Sequence, residues 1–171
     1  MSYRNWFKRK LVWLYRKIVH EKASPEYIAR GWAIGMFYGC LIPFGLQLVF
    51  SIPTSFILKG SKIGATLGTL ITNHVTIFFI YPVQCLVGNR LIGGDLSIDY
   101  IKGSLYHVMQ EQSLSMLLDL GLELLESFFI GGLLFTAVMT PITYFVVLKI
   151  VKKYQLRRER KRALKGKPFL L

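Results

Sequence analysis

The 171-residue sequence has few acidic residues, three histidines and two cysteines. These small numbers argue against a disulfide-bonded scaffold and against a metal site. Two cysteines, Cys40 and Cys85, lie within apolar segments and do not make a disulfide framework, so we expect buried free thiols. The three histidines lie in different segments. His107 and Glu111 have the spacing of two metal ligands on a helix, but two ligands do not make a site. The chain also lacks a phosphate-binding loop and a nucleophile-elbow motif, so we expect no enzyme, metal or cofactor.

Charge is absent from three long stretches, Gly31–Leu58, Ile63–Asn89 and Ser127–Leu148. The chain is 53% apolar with a mean hydropathy of +0.42, which excludes a disordered protein and is unusual for a soluble domain. A helix that spans a bilayer needs about 20 mostly apolar residues. The sequence therefore predicts an all-α, polytopic membrane protein.

The remaining charges are segregated along the chain, with 22 Lys and Arg against 9 Asp and Glu, a formal net charge of +13. Residues 1–30 and 149–171 are strongly basic, whereas residues 95–126 hold six acids against Lys102 alone. Basic flanks of membrane segments stay in the cytoplasm. We therefore expect both termini to be cytoplasmic and 95–126 to lie on the outer side.

The basic segment Arg157–Lys167 has two interpretations, attraction to anionic lipid and binding of nucleic-acid phosphates. Attachment to a membrane already accounts for its charge. We therefore expect anionic membrane lipids as partners and regard nucleic acid as unlikely.

The hydrophobic pattern divides the chain into three parts. Residues 1–22 follow the spacing of a basic amphipathic helix on the cytoplasmic surface. Residues 23–151 form the membrane domain, and 152–171 form a basic cytoplasmic tail. Within the membrane domain we predict four segments: unit one at 24–58, unit two at 60–92, a polar external segment at 95–123, and a transmembrane helix at 126–151 kinked at Pro141.

Units one and two resemble each other when the sequence is shifted by 29 residues, which suggests an internal duplication of a helix–break–helix unit. The glycines recur four apart, so that they form a stripe on one helix face and allow a second backbone to approach closely. This pattern predicts helix packing, and self-association, through six residues: Gly31, Gly35, Gly39, Gly60, Gly64 and Gly68. Breaks are expected at Pro43–Gln47 and at Thr72–Thr76.

The flanking charges suggest that the units differ in course. Unit one begins near Arg30 and ends at Lys59, so both of its ends are basic, which favours a re-entrant hairpin entered from the cytoplasm. Unit two runs from Lys62 to Asp95 and should cross the membrane. True repeats should behave alike, and the sequence does not resolve this conflict.

Both breaks place polar side chains inside apolar stretches, with Thr69, Tyr81 and Gln84 nearby. A helix that begins after a break directs its amide groups and positive dipole end into the membrane, which favours an anion. The candidate ligand-binding residues are Gln47, Thr72, Asn73, His74, Thr76, Arg30 and Arg90. The alternative is that these side chains only satisfy backbone groups freed by the breaks.

Several motifs in combination resemble a family of prokaryotic membrane proteins called domain of unknown function 2062. The matching residues of the first half are Ser24-Pro25, Ile28-Ala29, Gly31, Ala33-Ile34-Gly35, Phe37, Gly39, Pro43, Gly45 and Gln47. Those of the second half are Leu67-Gly68-Thr69, Asn73, Thr76, Tyr81, Leu86, Gly88, Leu91 and Gly93. The likeness covers about residues 22–150. The family often has proline after the motif asparagine, where this chain has His74.

The resemblance implies a small multi-helix protein of the bacterial inner membrane, and it implies no activity. Some relatives are similar to domains attached to glycosyltransferases, so an envelope glycosyltransferase is an expected partner. Two hypotheses follow. In the first, a transporter-like or lipid-handling protein binds an anionic amphiphile at the paired breaks. In the second, a scaffold that does not transport recruits enzymes of envelope glycan or lipid synthesis.

Overall fold

A computed structural model describes residues 23–43, 45–72, 76–111 and 122–165 of the chain. This part is built from helices and turns without strands, which confirms the all-helical prediction for the described residues. The surface helix predicted at 1–22 lies outside them. The helices are α1 (Pro25–Leu41), α2 (Gln47–Ile57), α3 (Lys62–Thr69), α4 (Ile77–Leu91), α5 (Ile98–Glu111) and α6 (Leu122–Lys165).

Local sequence explains where α1 begins and ends. The Ser24 hydroxyl accepts a hydrogen bond from the Tyr27 amide at 3.2 Å, and Pro25 occupies the first turn, where its missing N–H does no harm. The helix ends at Leu41, shortly before Pro43, which disfavours helical backbone in the residue before it. Gly45 has φ +99°, a conformation that glycine adopts without strain, so the chain reverses there.

Helices α1 and α2 form an antiparallel hairpin. Near its open end, the Arg30 guanidinium donates to the carbonyl O of Leu58 at 3.2 Å. Farther along, the hydroxyls of Tyr38 and Thr54 share a hydrogen bond of 2.8 Å. The start of α1 and the end of α2 therefore lie at the same end of the molecule, while the turn between the two helices lies at the other end.

Helix α3 runs parallel to α1, with the glycine-rich faces in contact. A Cβ at Gly31 would collide with Ser61, one at Gly35 with the backbone of Ala65, and one at Gly39 would lie 2.7 Å from Thr72 Oγ1. Only glycine lets two helix backbones approach this closely. The close packing takes place within one chain, so these faces are not available for contact with a second copy.

Helix α4 continues in the direction of α3 and crosses α6 at two glycines. A Cβ at Gly88 would collide with the carbonyl O of Ser127, and one at Gly131 with the carbonyl O of Gln84. Helix α5 packs against α4 through Ile101, which is fully buried. The two sequence-related units thus follow different courses. In unit one, α2 folds back along α1, whereas in unit two, α4 continues in the direction of α3.

Helix α6 is one continuous helix of 44 residues and contains Pro141. Its C-terminal half lies antiparallel to α1, where Lys152 pairs with Glu26 at 2.9 Å and Gln155 donates to Ala23 O at 3.0 Å. The helix extends beyond both ends of the predicted 126–151 span. Over Leu122–Arg160 it is long and apolar enough to cross a membrane, which holds for no other helix of the described residues.

The helices bury polar side chains and expose apolar ones. In α2, Gln47, Ser51 and Ser55 recur four apart on one helical face, and all are buried. Ile57, on the same helix, is 78% exposed, and Phe79 of α4 is 73% exposed. A helix at the surface of a soluble domain shows the reverse pattern. Small and polar residues between helices, with apolar residues outside, are typical of helices packed within a bilayer.

Candidate functional site: the junction of the helix breaks

The ends of four helices meet at one place, which we call the break junction. It consists of the end of α1 (Gly39–Ile42), the start of α2 at Gln47, the end of α3 (Thr69–Thr72) and the first part of α4 (Thr76–Gln84), with Phe128 of α6 beside them. Local sequence features determine where these helices end and where the next ones begin. Gln47, Thr72 and Thr76, predicted from widely separated positions, all belong to the junction.

Gln47 lies at the centre of the break junction and is 3% exposed. Its Nε2 lies 3.1 Å from the carbonyl oxygens of Gly39 and Ile42 and 3.1 Å from the Tyr81 hydroxyl. Its Oε1 lies 3.3 Å from the Thr72 hydroxyl, whose one proton is shared between Gln47 Oε1 and Thr69 O. The last carbonyls of a helix have no partner within that helix. One glutamine therefore covers the end of α1 and links it to α3 and α4.

Tyr81 and Gln84 of α4 complete the cover over the end of α1. The Tyr81 hydroxyl lies 3.3 Å from Ile42 O, to which it donates. Gln84 Nε2 donates to Cys40 O at 3.0 Å and to Phe128 O of α6 at 2.9 Å. The sequence placed both residues near the site without assigning them a partner. Their spacing, about one helical turn apart, was the available signal for a shared face.

The threonines of the second break satisfy the end of α3 in the same way. The Thr72 hydroxyl lies 2.9 Å from Thr69 O, and the Thr76 hydroxyl donates to Ile71 O at 2.7 Å. Much of the network thus consists of side-chain donors that bond carbonyl groups at helix ends. This is the arrangement expected if the polar side chains only satisfy backbone groups freed by the breaks. The starts of α2 and α4 differ, because their N-caps, Leu46 and Thr76, make no side-chain hydrogen bond to the first turn. The Val49 and Phe79 amides instead bond the carbonyl O of these N-cap residues, at 3.1 and 3.0 Å.

The arrangement gives the break junction an electrostatic asymmetry. Carbonyl groups at the negative ends of α1 and α3 are covered by side-chain donors. The positive ends of α2 and α4 receive no side-chain acceptor from their N-caps, and the described residues of the junction include no Asp or Glu. Uncapped amides and the helix dipole favour negative charge.

One buried acceptor in the break junction lacks a partner among the described residues. Gln84 is 0% exposed, and its Oε1 accepts no hydrogen bond. Its carboxamide is held in orientation because Nε2 donates to two carbonyls at once. Turning the amide over would place Oε1 against those carbonyls. Leaving such a group unsatisfied costs about 1–3 kcal/mol.

The structure does not bring the two predicted arginines to the junction. Arg30 lies at the open end of the α1–α2 hairpin, about 16 Å along α1 from Leu41 at about 1.5 Å per residue. Arg90 lies in the last turn of α4, about 9 Å along that helix beyond Gln84 on the same scale. Both arginines were predicted to belong to the site because they lie at the ends of uncharged stretches. These ends are also the ends of helices. Asn73 and His74 lie outside the described residues.

A second polar cluster, centred on Asn89, escaped sequence reasoning. Asn89 Nδ2 donates to Glu123 Oε1 at 3.0 Å and to Ser127 Oγ at 3.1 Å, and its Oδ1 accepts from the Leu96 amide at 3.0 Å. Both polar atoms of the Asn89 side chain have partners, so this residue links α4 to α6 and is accounted for as a structural contact. Within the described part, no three His, Cys, Asp or Glu side chains converge on a metal position.

A family model described as "uncharacterized protein conserved in bacteria", domain of unknown function 2062, matches residues 8–160. The chain belongs to this family. The resemblance inferred from the glycine, proline and glutamine motifs is therefore confirmed. No curated protein and no solved structure matches the chain.

Proposed function

We propose that this member of the domain of unknown function 2062 family is a multi-pass protein of the bacterial inner membrane. In this proposal the break junction binds the head group of an anionic amphiphile. The uncapped start of α2, beside helix ends whose carbonyls are covered, is the observation that carries it. The proposed role is to bind or move the amphiphile and not to convert it chemically.

The exposed apolar surface supports the membrane placement. Leu133 and Phe145 of α6 are more than half exposed, and only 22% of the most apolar window of that helix is buried within the chain. Contiguous apolar surface on this scale needs a partner, and lipid tails cover it without a matching protein surface. The buried faces of the same helices carry Ser127 and Thr136, as expected for interhelical packing in lipid.

The courses of the two units support a topology with both termini in the cytoplasm. A hairpin whose ends meet at Arg30 and Leu58 enters and leaves on one side, so it adds no crossing. Unit two, which continues in one direction, adds one crossing, and α6 adds the return. Two repeats of similar sequence are then compatible with an even number of membrane crossings, and the acidic segment 95–126 lies outside.

The experiment tests charge selectivity at the start of α2. Native mass spectrometry of the full chain in non-ionic detergent would measure binding of dihexanoyl phosphatidylglycerol and of zwitterionic dihexanoyl phosphatidylcholine. We expect phosphatidylglycerol to bind more tightly to the wild type. Leu46→Asp places a carboxylate at the N-cap of α2, where it both caps the amides and repels an anion, and we expect about tenfold weaker binding of phosphatidylglycerol.

Two matched variants separate charge at the junction from general effects. Leu46→Asn offers a neutral cap of the same size and should keep most of the affinity. Ser24→Asp adds the same charge at the N-cap of α1, at the open end of the hairpin, and should leave binding unchanged. Equal affinity for both lipids, or equal loss with all three substitutions, would contradict the proposal and favour the alternative role as a scaffold for envelope enzymes.

A further inference from the structure

Three polar groups from three helices meet at one point, where α1, α4 and α6 come together. We propose that Cys40 O, Phe128 O and the Gln84 carboxamide form a binding site for a monovalent metal cation, sodium or potassium. The site goes beyond the proposed function, because it includes no atom of the start of α2 and no lipid takes part.

The two carbonyl groups converge on one side chain. Gln84 Nε2 lies 3.0 Å from Cys40 O and 2.9 Å from Phe128 O, so both oxygens face the same position. Cys40 lies in the last turn of α1, whose carbonyl groups form the negative end of the helix dipole, equivalent to roughly half an elementary charge. Carbonyl groups, including those at helix ends, coordinate sodium and potassium ions in channels and transporters.

The Gln84 carboxamide can supply a third oxygen to this position. Its Oε1 is buried and accepts no hydrogen bond, so no donor is lost when the amide turns over. A half-turn of the planar carboxamide exchanges Oε1 and Nε2, which places Oε1 about 3 Å from Cys40 O and Phe128 O. The turn breaks only the two hydrogen bonds that Nε2 donates.

Three oxygens brought together in this way form the ligand set of a cation. Without a positive charge between them they repel one another, so the chain without the ion keeps Nε2 on the two carbonyls. A cation that contacts all three oxygens replaces the two donor bonds and favours the turned orientation. The change needs the rotation of one side chain and no movement of a helix.

The neutral ligands favour an ion with a single charge. Two backbone carbonyls and a carboxamide bring no negative charge, whereas calcium and magnesium in proteins are bound with the help of carboxylates. A divalent ion would be desolvated here without a compensating charge. The site therefore fits sodium or potassium and not a divalent metal.

Gly132 of α6 leaves the site free of apolar carbon on one side. It is buried, and a Cβ there would lie 2.8 Å from Gln84 Nε2 and 3.1 Å from Cys40 O, both closer than ordinary contact. A side chain at this position would press against two of the ligand groups. Glycine leaves the carboxamide room to turn.

Thermal unfolding of the full chain in non-ionic detergent tests the site, because a ligand that binds only the folded chain raises the midpoint temperature. Circular dichroism would follow unfolding in sodium, potassium or choline chloride at equal ionic strength, so that screening and the anion stay constant. Choline is too large to enter between the three oxygens. We expect a midpoint about 2–4 °C higher in sodium or potassium chloride than in choline chloride, a difference that levels off as the salt concentration rises. The salt that gives the larger rise identifies the preferred ion.

Substitutions at Gln84 assign the effect to its carboxamide. Gln84→Met removes the ligand oxygen with little change in volume, so the difference between the metal salt and choline chloride should fall below about 1 °C. Gln84→Glu keeps an oxygen that gains a negative charge on ionisation, so this difference should grow as pH rises, which it should not do in the wild type. The control is Asn89→Leu, at the buried amide that links α4 to α6, which should lower the midpoint in every salt and keep the difference.

Equal midpoints in the three salts would overturn the inference. A difference that survives in Gln84→Met would also overturn it, because the ion would then be bound elsewhere. If Gln84→Met does not fold, Gln84→Glu decides, and a difference that is independent of pH would count against the site. The comparison contains no anionic lipid, so this inference and the proposed function can fail separately.

Discussion

Replacing Gly35 by alanine should force α1 and α3 apart. A Cβ at this position would collide with Ala65 O, and it would lie 2.7 Å from the Cα of Gly68 and 2.8 Å from the amide N of Thr69. These are backbone atoms, so no side-chain rotation relieves the contacts. Ordinary contact begins at 3.4 Å, so relief of the Gly68 contact alone requires a local separation of about 0.7 Å, and relief of the Ala65 contact requires more.

The expected free energy of unfolding follows from two opposing effects. Overpacking of this kind costs about 1–3 kcal/mol, and relief by separation also disturbs Trp32, which packs between α1 and α3 and is 2% exposed. Alanine returns up to about 1 kcal/mol through its higher helix propensity. We therefore expect Gly35→Ala to lower the free energy of unfolding by about 1–2 kcal/mol.

The matched control is Gly103→Ala in α5, where an added Cβ meets no atom within 4 Å. This substitution should raise the free energy of unfolding by about 0.5–1 kcal/mol. Unfolding by denaturing detergent in mixed micelles, followed by Trp32 fluorescence with Trp6 and Trp13 replaced by phenylalanine, measures both. The reasoning is refuted if Gly35→Ala is as stable as the wild type or shifts in the same direction as Gly103→Ala.

Two further predictions concern the ends of α6. Asn89→Leu should lower the free energy of unfolding by about 1–3 kcal/mol in the same detergent titration, because the Leu96 amide and Ser127 hydroxyl lose a buried partner; an unchanged midpoint would contradict this. The hydrogen bond from Lys152 lowers the pKa of the exposed Glu26 below its ordinary value of 4.5. The small stabilisation it provides is therefore present above pH 4.5 and is lost as pH falls through the lowered pKa, a loss that Glu26→Gln should not show.

Local chemistry made several elements predictable from the sequence. The uncharged stretches predicted apolar helices, Ser24-Pro25 predicted the start of α1, and Pro43 with Gly45 predicted the first break. Each of these features depends on residues a few positions apart. The membership of Gln47 in the polar site was also predictable, because a polar side chain beside a helix break has few ways to avoid an apolar surrounding.

The partners of those side chains were not predictable in the same way. Gln84 bonds Cys40 and Phe128, each 44 positions away, and Asn89 bonds Ser127 at a distance of 38 positions. No local pattern specifies such pairs. The same limit explains Arg30, whose place at the end of an uncharged stretch suggested a charge for the site although a helix length separates it from the junction.

The sequence by itself determined that two similar units, rich in glycine and broken by polar residues, would lie in an apolar helical protein. Only the tertiary structure decided that the first unit folds back and the second continues. In the first unit, the face with Ser51 and Ser55 turns α2 back along the hairpin. In the second, Gly88 lets α4 cross α6 at Gly131. The chain therefore follows different courses after two similar breaks, because α2 and α4 pack against different helices.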